Sequence, residues 1–210
     1  MSTPRGALLV ATGNAGKLSE LRALLGELAL VLHSLRDFPH VALPEEGDDY
    51  AGNALAKARS AAVQSGLPAL GDDSGLEVEG LGGAPGPHSA RYGGPGLDDA
   101  GRVAYLLEAL RGRSGDARRA RFVCVAALAL PDGAAWTAWG ECPGHILEAP
   151  RGAGGFGYDP VFWSSELEAA MAELPDAQKN EISHRGRALR GLRARILEQV
   201  LAPASLKPSG

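Results

Sequence analysis

Residues 8–17 read LLVATGNAGK, an apolar run that leads through a glycine-containing turn to a lysine. The apolar run Leu8–Ala11 is short and bounded by turn residues, which predicts a buried strand. From Lys17 onward leucines recur at helical spacing, so a helix is predicted directly after the turn. These leucines are Leu18, Leu21, Leu24, Leu25 and Leu28. A strand that feeds a helix through a glycine loop is typical of an α/β fold.

The rest of the chain shows further helical and strand patterns. In chain order, the predicted elements are a helix over 53–64, a strand over 76–79, a helix that Asp98 caps, a hairpin of strands 119–130 and 134–141, a strand over 144–148 and a C-terminal helix that Ser183 caps. Helices interleave with strands at first and hairpins follow, which predicts an α/β fold with a mixed central sheet flanked by helices. We expect residues 1–202 to form one two-lobed domain, and residues 203–210 to form a flexible tail.

Composition limits the classes of function. The 210 residues include 21 basic and 25 acidic side chains, a formal net charge of −4, so a nucleic-acid coat is not expected. The longest apolar run, residues 123–130, is far shorter than the roughly 20 residues of a membrane-spanning helix. The two cysteines, Cys124 and Cys142, predict neither a disulfide scaffold nor a zinc site. We therefore expect a cytoplasmic protein that binds neither membrane nor nucleic acid and meets anions only at local sites.

The loop between the first strand and the first helix is a candidate phosphate site. Glycines let backbone N–H groups approach an anion, the helix N-terminus favours negative charge, and a lysine adds a point charge. The loop is not a Walker A sequence, because two residues rather than four separate its glycines and Leu18 follows the lysine. An ordinary glycine-containing turn is the alternative. The candidate residues are Thr12, Gly13, Asn14, Ala15, Gly16 and Lys17.

Two acidic stretches are candidates for a divalent metal. Asp72 and Asp73 occupy a predicted turn before a strand, and adjacent carboxylates are commonly either solvated or holding a cation. Mg²⁺ prefers one or two carboxylates together with substrate phosphate oxygens, and such a carboxylate can also orient or deprotonate a water. The acidic loop 45–49 could complete a metal site that Asp73 opens. For both stretches an exposed acidic turn is the alternative.

Two further stretches fit a flat base and its phosphates. Phe156 and Tyr158 stand beside glycines, and an exposed ring is a good stacking platform for a heterocycle. Lys179, His184 and Arg185 surround the predicted start of the C-terminal helix, where an anion would meet side-chain donors and the helix N-terminus. Core packing of the aromatic residues and a structural His–Arg pair are the alternatives.

Taken together, these motifs resemble the inosine/xanthosine triphosphate pyrophosphatases. The order and spacing match over essentially the whole chain, and the motifs are TGNAGK at 12–17, DDSGL at 72–76, GGAPG at 82–86 with SARY at 89–92, GFGYDP at 155–160 and ISHR at 182–185. The resemblance implies a homodimeric α/β enzyme with a substrate cleft between two lobes, which uses Mg²⁺ to hydrolyse deaminated purine triphosphates (ITP, dITP and XTP). The products would be the monophosphate and pyrophosphate, and the reaction would cleanse the nucleotide pool.

The resemblance also implies roles for single residues. Asp73 takes the catalytic role and, together with Glu45, the metal-binding role. Lys179 neutralises phosphate, and His184 with Arg185 reads the base. The full set of implied substrate-binding residues is Thr12, Gly13, Asn14, Ala15, Gly16, Lys17, Ser74, Phe156, Gly157, Tyr158, Asp159, Lys179, His184 and Arg185.

Some positions leave these assignments open or depart from the family pattern. Glu46 adjoins Glu45, so either carboxylate of the acidic loop could reach the metal. Gly52 stands where the family usually has the Glu of Glu-Asn-Ala, which puts any role of that Glu in doubt. His88 stands where a tyrosine is common. Neither departure removes a catalytic group.

Two other functions remain open at this stage. A nucleotide pyrophosphatase with a pyrimidine or broad base preference would keep the phosphate and metal features and change the base loop. A non-catalytic nucleotide- or RNA-binding protein would instead use a cluster of arginines, for which a solvated helix-to-strand connection is the alternative interpretation. The cluster consists of Arg111, Arg113, Arg118, Arg119 and Arg121.

Overall fold

The computed structural model describes residues 6–201, so the predicted tail at 203–210 lies outside the described residues. In chain order the helices and strands of this part are β1 (Ala7–Val10), α1 (Ala15–Leu25), β2 (Val31–Ser34), α2 (Tyr50–Ser65), β3 (Ala69–Val78), β4 (Pro85–Gly86), α3 (Asp99–Ala109), β5 (Arg119–Ala129), β6 (Ala135–Ile146), β7 (Phe162–Ser164), β8 (Ala169–Ala170), α4 (Asp176–Ile182) and α5 (His184–Ile196), and a π-helical turn, Leu197–Leu201, follows α5. Within residues 6–201, none of the helices is long and apolar enough to cross a membrane.

The strands form one mixed sheet. Their order is β2-β1-β3-β5-β6-β7-β8, and β4 pairs with β3 at the side of this path. β1 runs parallel to β2 and to β3, whereas every pair from β3 through β5, β6 and β7 to β8 is antiparallel. Parallel neighbours need crossover helices, which α1 and α2 supply, and antiparallel neighbours need only turns. The predicted α/β fold with a mixed central sheet flanked by helices is confirmed; its division into two lobes stays a prediction.

Helices cover both faces of the sheet. On one face α2 packs over a core that includes Leu9 and Val125. On the other face α1 and α5 pack over Val10 and Ala126. Successive side chains of a strand point to opposite faces, so neighbours along β1 and β5 enter different cores. A third cluster, beneath α3 and around Phe122, extends the core towards β7.

Side-chain caps fix where the helices begin. The Asn14 side chain accepts a hydrogen bond from the backbone N–H of Lys17 at the start of α1. Asp98 and Ser183 cap α3 and α5, as the sequence predicts. α2 begins at Tyr50 rather than at the predicted residue 53, because Asp49 accepts hydrogen bonds from two backbone N–H groups of its first turn.

Two strand predictions are wrong in their bounds. Residues 144–148 are not a separate strand, because β6 continues without a break to Ile146. β3 begins at Ala69 rather than at residue 76, so Asp72 and Asp73 lie inside a strand and not in a turn before one. Both are paired with β5 through the backbone. Their side chains therefore point to opposite faces of the sheet.

Candidate active site

A pocket lies between the start of α1, the start of α5 and the glycine-rich loop that precedes β7. Its wall contains ten of the fourteen predicted substrate-binding residues, namely Asn14, Lys17, Ser74, Phe156, Gly157, Tyr158, Asp159, Lys179, His184 and Arg185. The other four, Thr12, Gly13, Ala15 and Gly16, belong to the loop that carries Asn14 and Lys17. The fold thus brings four separate stretches of sequence to one place.

Asp73 lies on the α2 side of the sheet and is only 2% exposed. Asn53 donates a hydrogen bond from its Nδ2 to Asp73 Oδ2 at 2.8 Å, and Lys57 Nζ lies 3.3 Å from Asp73 Oδ1. Burial raises the pKa of the Asp73 carboxyl, and the contacts with Lys57 and Asn53 oppose that rise without cancelling it. A carboxyl group with a raised pKa, held by two donors, suits proton transfer at a fixed position.

Lys57 joins Asp73 to the acidic loop. Its Nζ lies 2.5 Å from Glu46 Oε1 as well as 3.3 Å from Asp73. Partial burial opposes ionisation of Glu46, but the hydrogen bond and charge of Lys57 lower the pKa of this carboxyl. The neighbouring Glu45 is exposed. The carboxylates of Asp73 and Glu46 therefore both contact the Lys57 ammonium, and the carboxylate of the acidic loop that lies near Asp73 is that of Glu46 rather than Glu45.

This pair of carboxylates fits a magnesium ion that takes its other ligands from phosphate and water. Within residues 6–201 no three His, Cys, Asp or Glu side chains gather as a metal-binding group. A dedicated all-protein cage is therefore absent from the described part of the chain. Mg²⁺ does not need one, because it commonly binds through one or two carboxylates plus substrate oxygens. The donor set of Asp73 and Glu46 matches that requirement.

Asp72 lies on the opposite face of β3 and is surrounded by cations. Lys17 Nζ is 3.1 Å and Arg185 Nε is 3.2 Å from Asp72 Oδ2. Burial opposes the negative charge, yet Lys17 and Arg185 outweigh it and hold the pKa of Asp72 well below its usual range. Its other oxygen, Oδ1, is buried without a hydrogen-bond partner. Asp72 is thus a fixed anion that positions two cations.

Glu20 of α1 links the cations at the other end of the pocket. Its carboxylate pairs with Arg185 and lies 2.6 Å from Lys179 Nζ. Lys179 also meets Asp159 Oδ2 at 2.5 Å, and Arg185 donates to Ser74 Oγ at 2.9 Å. Burial works against the charge on Lys179, but Asp159 and Glu20 raise the pKa of its ammonium. Both cations therefore stay charged inside the wall of the pocket.

Phe156 forms an aromatic surface beside these cations. Lys179 Nζ lies 5.1 Å and the Arg185 guanidinium carbon 5.8 Å from the centroid of its ring. The ring packs so closely on the α1 loop that a Cβ on Gly16 would lie 2.7 Å from it. Phe156 and the phosphate-loop candidates consequently adjoin each other, as a base and its phosphates would require.

His184 is buried at the first position of α5. Its ring stacks on Phe122, with centroids 4.8 Å apart and planes 15° apart. Burial, reinforced by the charges of Arg185 and Lys179, lowers the pKa of His184 well below its usual value, so the imidazole is neutral at pH 7. Its Nδ1 has no hydrogen-bond partner. A neutral ring with a buried, unpaired Nδ1 lies where the base-reading pair is predicted.

Several residues of the site have no local pattern that predicts them. Asn53, Lys57 and Glu20 contact predicted site residues only because α2 and α1 pack beside β3. One signal could have identified Lys57: only four of the 21 basic residues are lysines. Lys17, Lys57 and Lys179 all lie at this site.

These features define the class of protein: a phosphate-rich ligand with a flat ring would meet buried cations and an aromatic platform in one pocket, while the carboxylates of Asp73 and Glu46 lie beside Lys57 on the α2 side of β3. The chain belongs to the Ham1 family, whose model matches residues 8–195. The resemblance predicted from the motifs is confirmed.

Curated relatives cover nearly the whole chain. The dITP/XTP pyrophosphatase of a Thermus thermophilus strain is 51% identical over 185 residues, which are 88% of this chain and 89% of the relative. The dITP/XTP pyrophosphatase of Geobacter sulfurreducens is 51% identical over 183 residues, 87% of this chain and 92% of the relative. Among solved structures, a HAM1 protein from Coxiella burnetii superposes with a TM-score of 0.81 at 42% identity, over 91% of this chain and 98% of that one.

Proposed function

We propose that this chain hydrolyses deaminated purine nucleoside triphosphates (ITP, dITP and XTP) to the nucleoside monophosphate and pyrophosphate, and so cleanses the nucleotide pool. The observation that carries the proposal is the arrangement of the pocket. Lys17, Lys179 and Arg185 line one cavity together with the ring of Phe156. β3 carries Ser74 in the wall of this cavity and Asp73 on its opposite face. The names of the curated relatives, dITP/XTP pyrophosphatase, support it.

Asp73 is the proposed catalytic carboxylate. It aligns or deprotonates a water for attack on the α-phosphorus, and pyrophosphate leaves. Its fixed position supports this role, because Asn53 and Lys57 each hold one oxygen of the carboxylate. Lys17, Lys179 and the amides of the glycine loop neutralise the charge that builds up on the leaving pyrophosphate.

Asp73 and a carboxylate of the acidic loop would hold Mg²⁺. When bound, Mg²⁺ would neutralise part of the triphosphate charge and polarise the phosphate under attack. Glu46 is better suited to this role than Glu45, because Lys57 ties Glu46 to Asp73. Dependence on Mg²⁺, assembly as a homodimer and a cytoplasmic location stay predictions.

Base selection follows from hydrogen-bond polarity at position 6 of the purine. Hypoxanthine and xanthine carry an acceptor there, whereas adenine carries a donor. Donors from Arg185, His184 or nearby amides would pair with the keto oxygen and oppose the amino group of adenine. Such a mismatch costs about 1–3 kcal/mol. ATP should therefore be a poor substrate.

The arginine cluster offers little support for an RNA-binding protein. Arg111, Arg119 and Arg121 pair with neighbouring carboxylates. Arg118 donates to the backbone carbonyls of residues 110, 113, 146 and 147, and Arg113 donates to that of residue 80. The cluster therefore serves mainly to connect parts of the fold.

A substrate panel tests the proposal. Purified protein is incubated with Mg²⁺ and ITP, XTP, dITP, dUTP, dTTP, GTP or ATP, and the products are separated. We expect pyrophosphate and monophosphate from ITP, dITP and XTP, and a kcat/KM roughly five- to 150-fold lower with ATP. Equal hydrolysis of dUTP, dTTP and dITP would favour the broad-specificity alternative. Salt-dependent RNA affinity without pyrophosphate release would contradict the assignment as an enzyme.

A further inference from the structure

The glycine-rich loop that carries Phe156 is held near its start by Gly154, whose N–H donates to the Ala172 carbonyl, and by the ion pair of Arg151 with Glu173. Residues 151–157 read RGAGGFG, and Gly152, Gly155 and Gly157 all have positive φ values. A loop so rich in glycine has many conformations open to it, so its shape depends on the groups that hold it. The position of the Phe156 ring depends on those same groups.

Two carboxylates hold the backbone on either side of the Phe156 side chain. The N–H of Phe156 donates to Asp159 Oδ2, and the N–H of Gly157 donates to Asp99 Oδ2, both at 2.8 Å. Asp159 belongs to the loop's own turn and to the ion pair with Lys179. Asp99 comes from a different element, 58 residues away at the start of α3. Asp99 is therefore the carboxylate from outside the loop that holds the Gly157 amide directly.

α3 is a firm support for Asp99. The helix is capped by Asp98 and buries Val103 and Leu106 in the core. Arg102, one turn further on, lies 3.3 Å from Asp99 Oδ1, so one carboxylate oxygen faces Arg102 and the other faces the loop. Asp99 itself lines the pocket beside Gly157. The carboxylate is thus held in the orientation that reaches the loop.

We propose that Asp99 is a positioning residue that fixes the Gly157 amide and thereby holds the Phe156 ring in place as the platform for the base. The proposal rests on the proposed function. Without Asp99 the loop loses its bond to α3, and the ring leaves its contact with Gly16 more often. Substrate binding weakens because the platform must be ordered each time, whereas Asp73 and the phosphate cations are unaffected.

Steady-state kinetics of ITP hydrolysis test the proposal. Asp99→Ala should raise KM about tenfold with kcat changed less than about threefold. Asp99→Asn keeps an oxygen acceptor for the Gly157 amide and should restore most of the loss. Glu108→Ala is the matched control, because it removes an exposed carboxylate with a similar i,i+3 arginine partner from the same helix. It should leave KM unchanged; a rise equal to that of Asp99→Ala would contradict the proposal.

A double-mutant cycle shows whether Asp99 acts through Phe156. In a Phe156→Ala background, Asp99→Ala should change KM less than about twofold, because the platform is already absent. The same tenfold rise in both backgrounds would overturn the proposal.

Amide hydrogen exchange of residues 153–158 tests the hydrogen bond between the Gly157 amide and Asp99 in the absence of substrate. Exchange should accelerate in Asp99→Ala and not in Glu108→Ala. If wild-type protein fails to hydrolyse ITP but this difference appears, the proposed function is wrong and the positioning contact stands. If wild-type protein hydrolyses ITP and the difference is absent, the positioning role is wrong.

Discussion

At the scale of single residues, Asp72 and Asp73 are adjacent in the chain but face different surroundings. Asp72 meets Lys17 and Arg185 and has a lowered pKa. Asp73 meets Asn53 and a more distant Lys57, and burial raises its pKa. The first carboxylate is stabilised as an anion by the fold, and the second is available for chemistry.

Asp73→Asn should abolish most of the activity without weakening the fold. We expect kcat for ITP to fall about 100- to 10,000-fold, because a general base is lost. The thermal midpoint should stay equal or rise, since a group with a raised pKa costs stability when it is ionised at neutral pH. Asp116→Asn, which removes an exposed carboxylate, is the control. Near-normal turnover in Asp73→Asn would contradict the catalytic assignment.

Asp72→Asn should have the opposite effect on stability. At pH 7 the free energy of unfolding should fall by about 3 kcal/mol, because Lys17 and Arg185 lose a buried partner. A carboxylate with a lowered pKa stabilises the fold above its unfolded-state pKa of about 3.9, and this contribution fades as the pH falls towards the folded-state pKa. Urea unfolding from pH 7 to pH 3 measures the difference between wild type and variant. A difference that widens towards low pH would contradict the ion-pair account.

The motifs that predict the site are the ones with local physical meaning. Three of these motifs consist of residues that are neighbours in the sequence: the glycine loop before a helix, the adjacent carboxylates and the aromatic residue beside glycine. Lys57 cannot, because it lies 16 residues from Asp73 and meets it only when α2 packs against β3. The choice between Glu45 and Glu46 likewise depends on which carboxylate Lys57 contacts.

At the scale of elements, the distance between α5 and the sheet determines where the predicted base-reading residues, His184 and Arg185, lie. α5 passes directly over Gly140 of β6, where a Cβ would lie 2.0 Å from the backbone oxygen of His184 and 2.5 Å from the N of Ala188. The absence of a side chain at Gly140 therefore lets α5 approach the sheet closely enough for His184 and Arg185 to reach the pocket.

Gly140→Ala should shift the start of α5 and weaken both fold and site. Overpacking of this kind costs about 1–3 kcal/mol of stability. Because His184 and Arg185 must move, we also expect kcat/KM for ITP to fall about tenfold. Thermal unfolding and steady-state kinetics measure the two effects, with Thr137→Ser on the exposed part of β6 as the control. Unchanged values in both assays would show that α5 does not depend on this contact.

Elements with a strong local pattern are predicted well, and short ones are not. The β5–β6 hairpin and the caps of α3 and α5 match the sequence-based expectation. β2 has only four residues and α4 only seven, too few for a period to be recognised. β6 exceeds its predicted length because its pairing with β5 continues to His145, and β7 pairs with its last three residues.

At the scale of the whole molecule, a modest net charge of −4 conceals a dense set of paired opposite charges at the site. Lys17 and Lys179 line the pocket, and Lys57 lies beside Asp73 on the other face of β3; each is paired with a carboxylate of the fold. These pairs hold the cations in place before any phosphate arrives. Electrostatic preorganisation of this kind is the main source of rate acceleration expected for phosphoryl transfer.

Isotope labelling tests the central claim, that water attacks the α-phosphorus of a deaminated purine triphosphate in this site. ITP is hydrolysed by the wild-type protein with Mg²⁺ in H₂¹⁸O, and the products are examined by ³¹P NMR and mass spectrometry. The account predicts one ¹⁸O atom in inosine monophosphate and unlabelled pyrophosphate. Label in pyrophosphate, or release of orthophosphate from ITP, would contradict it.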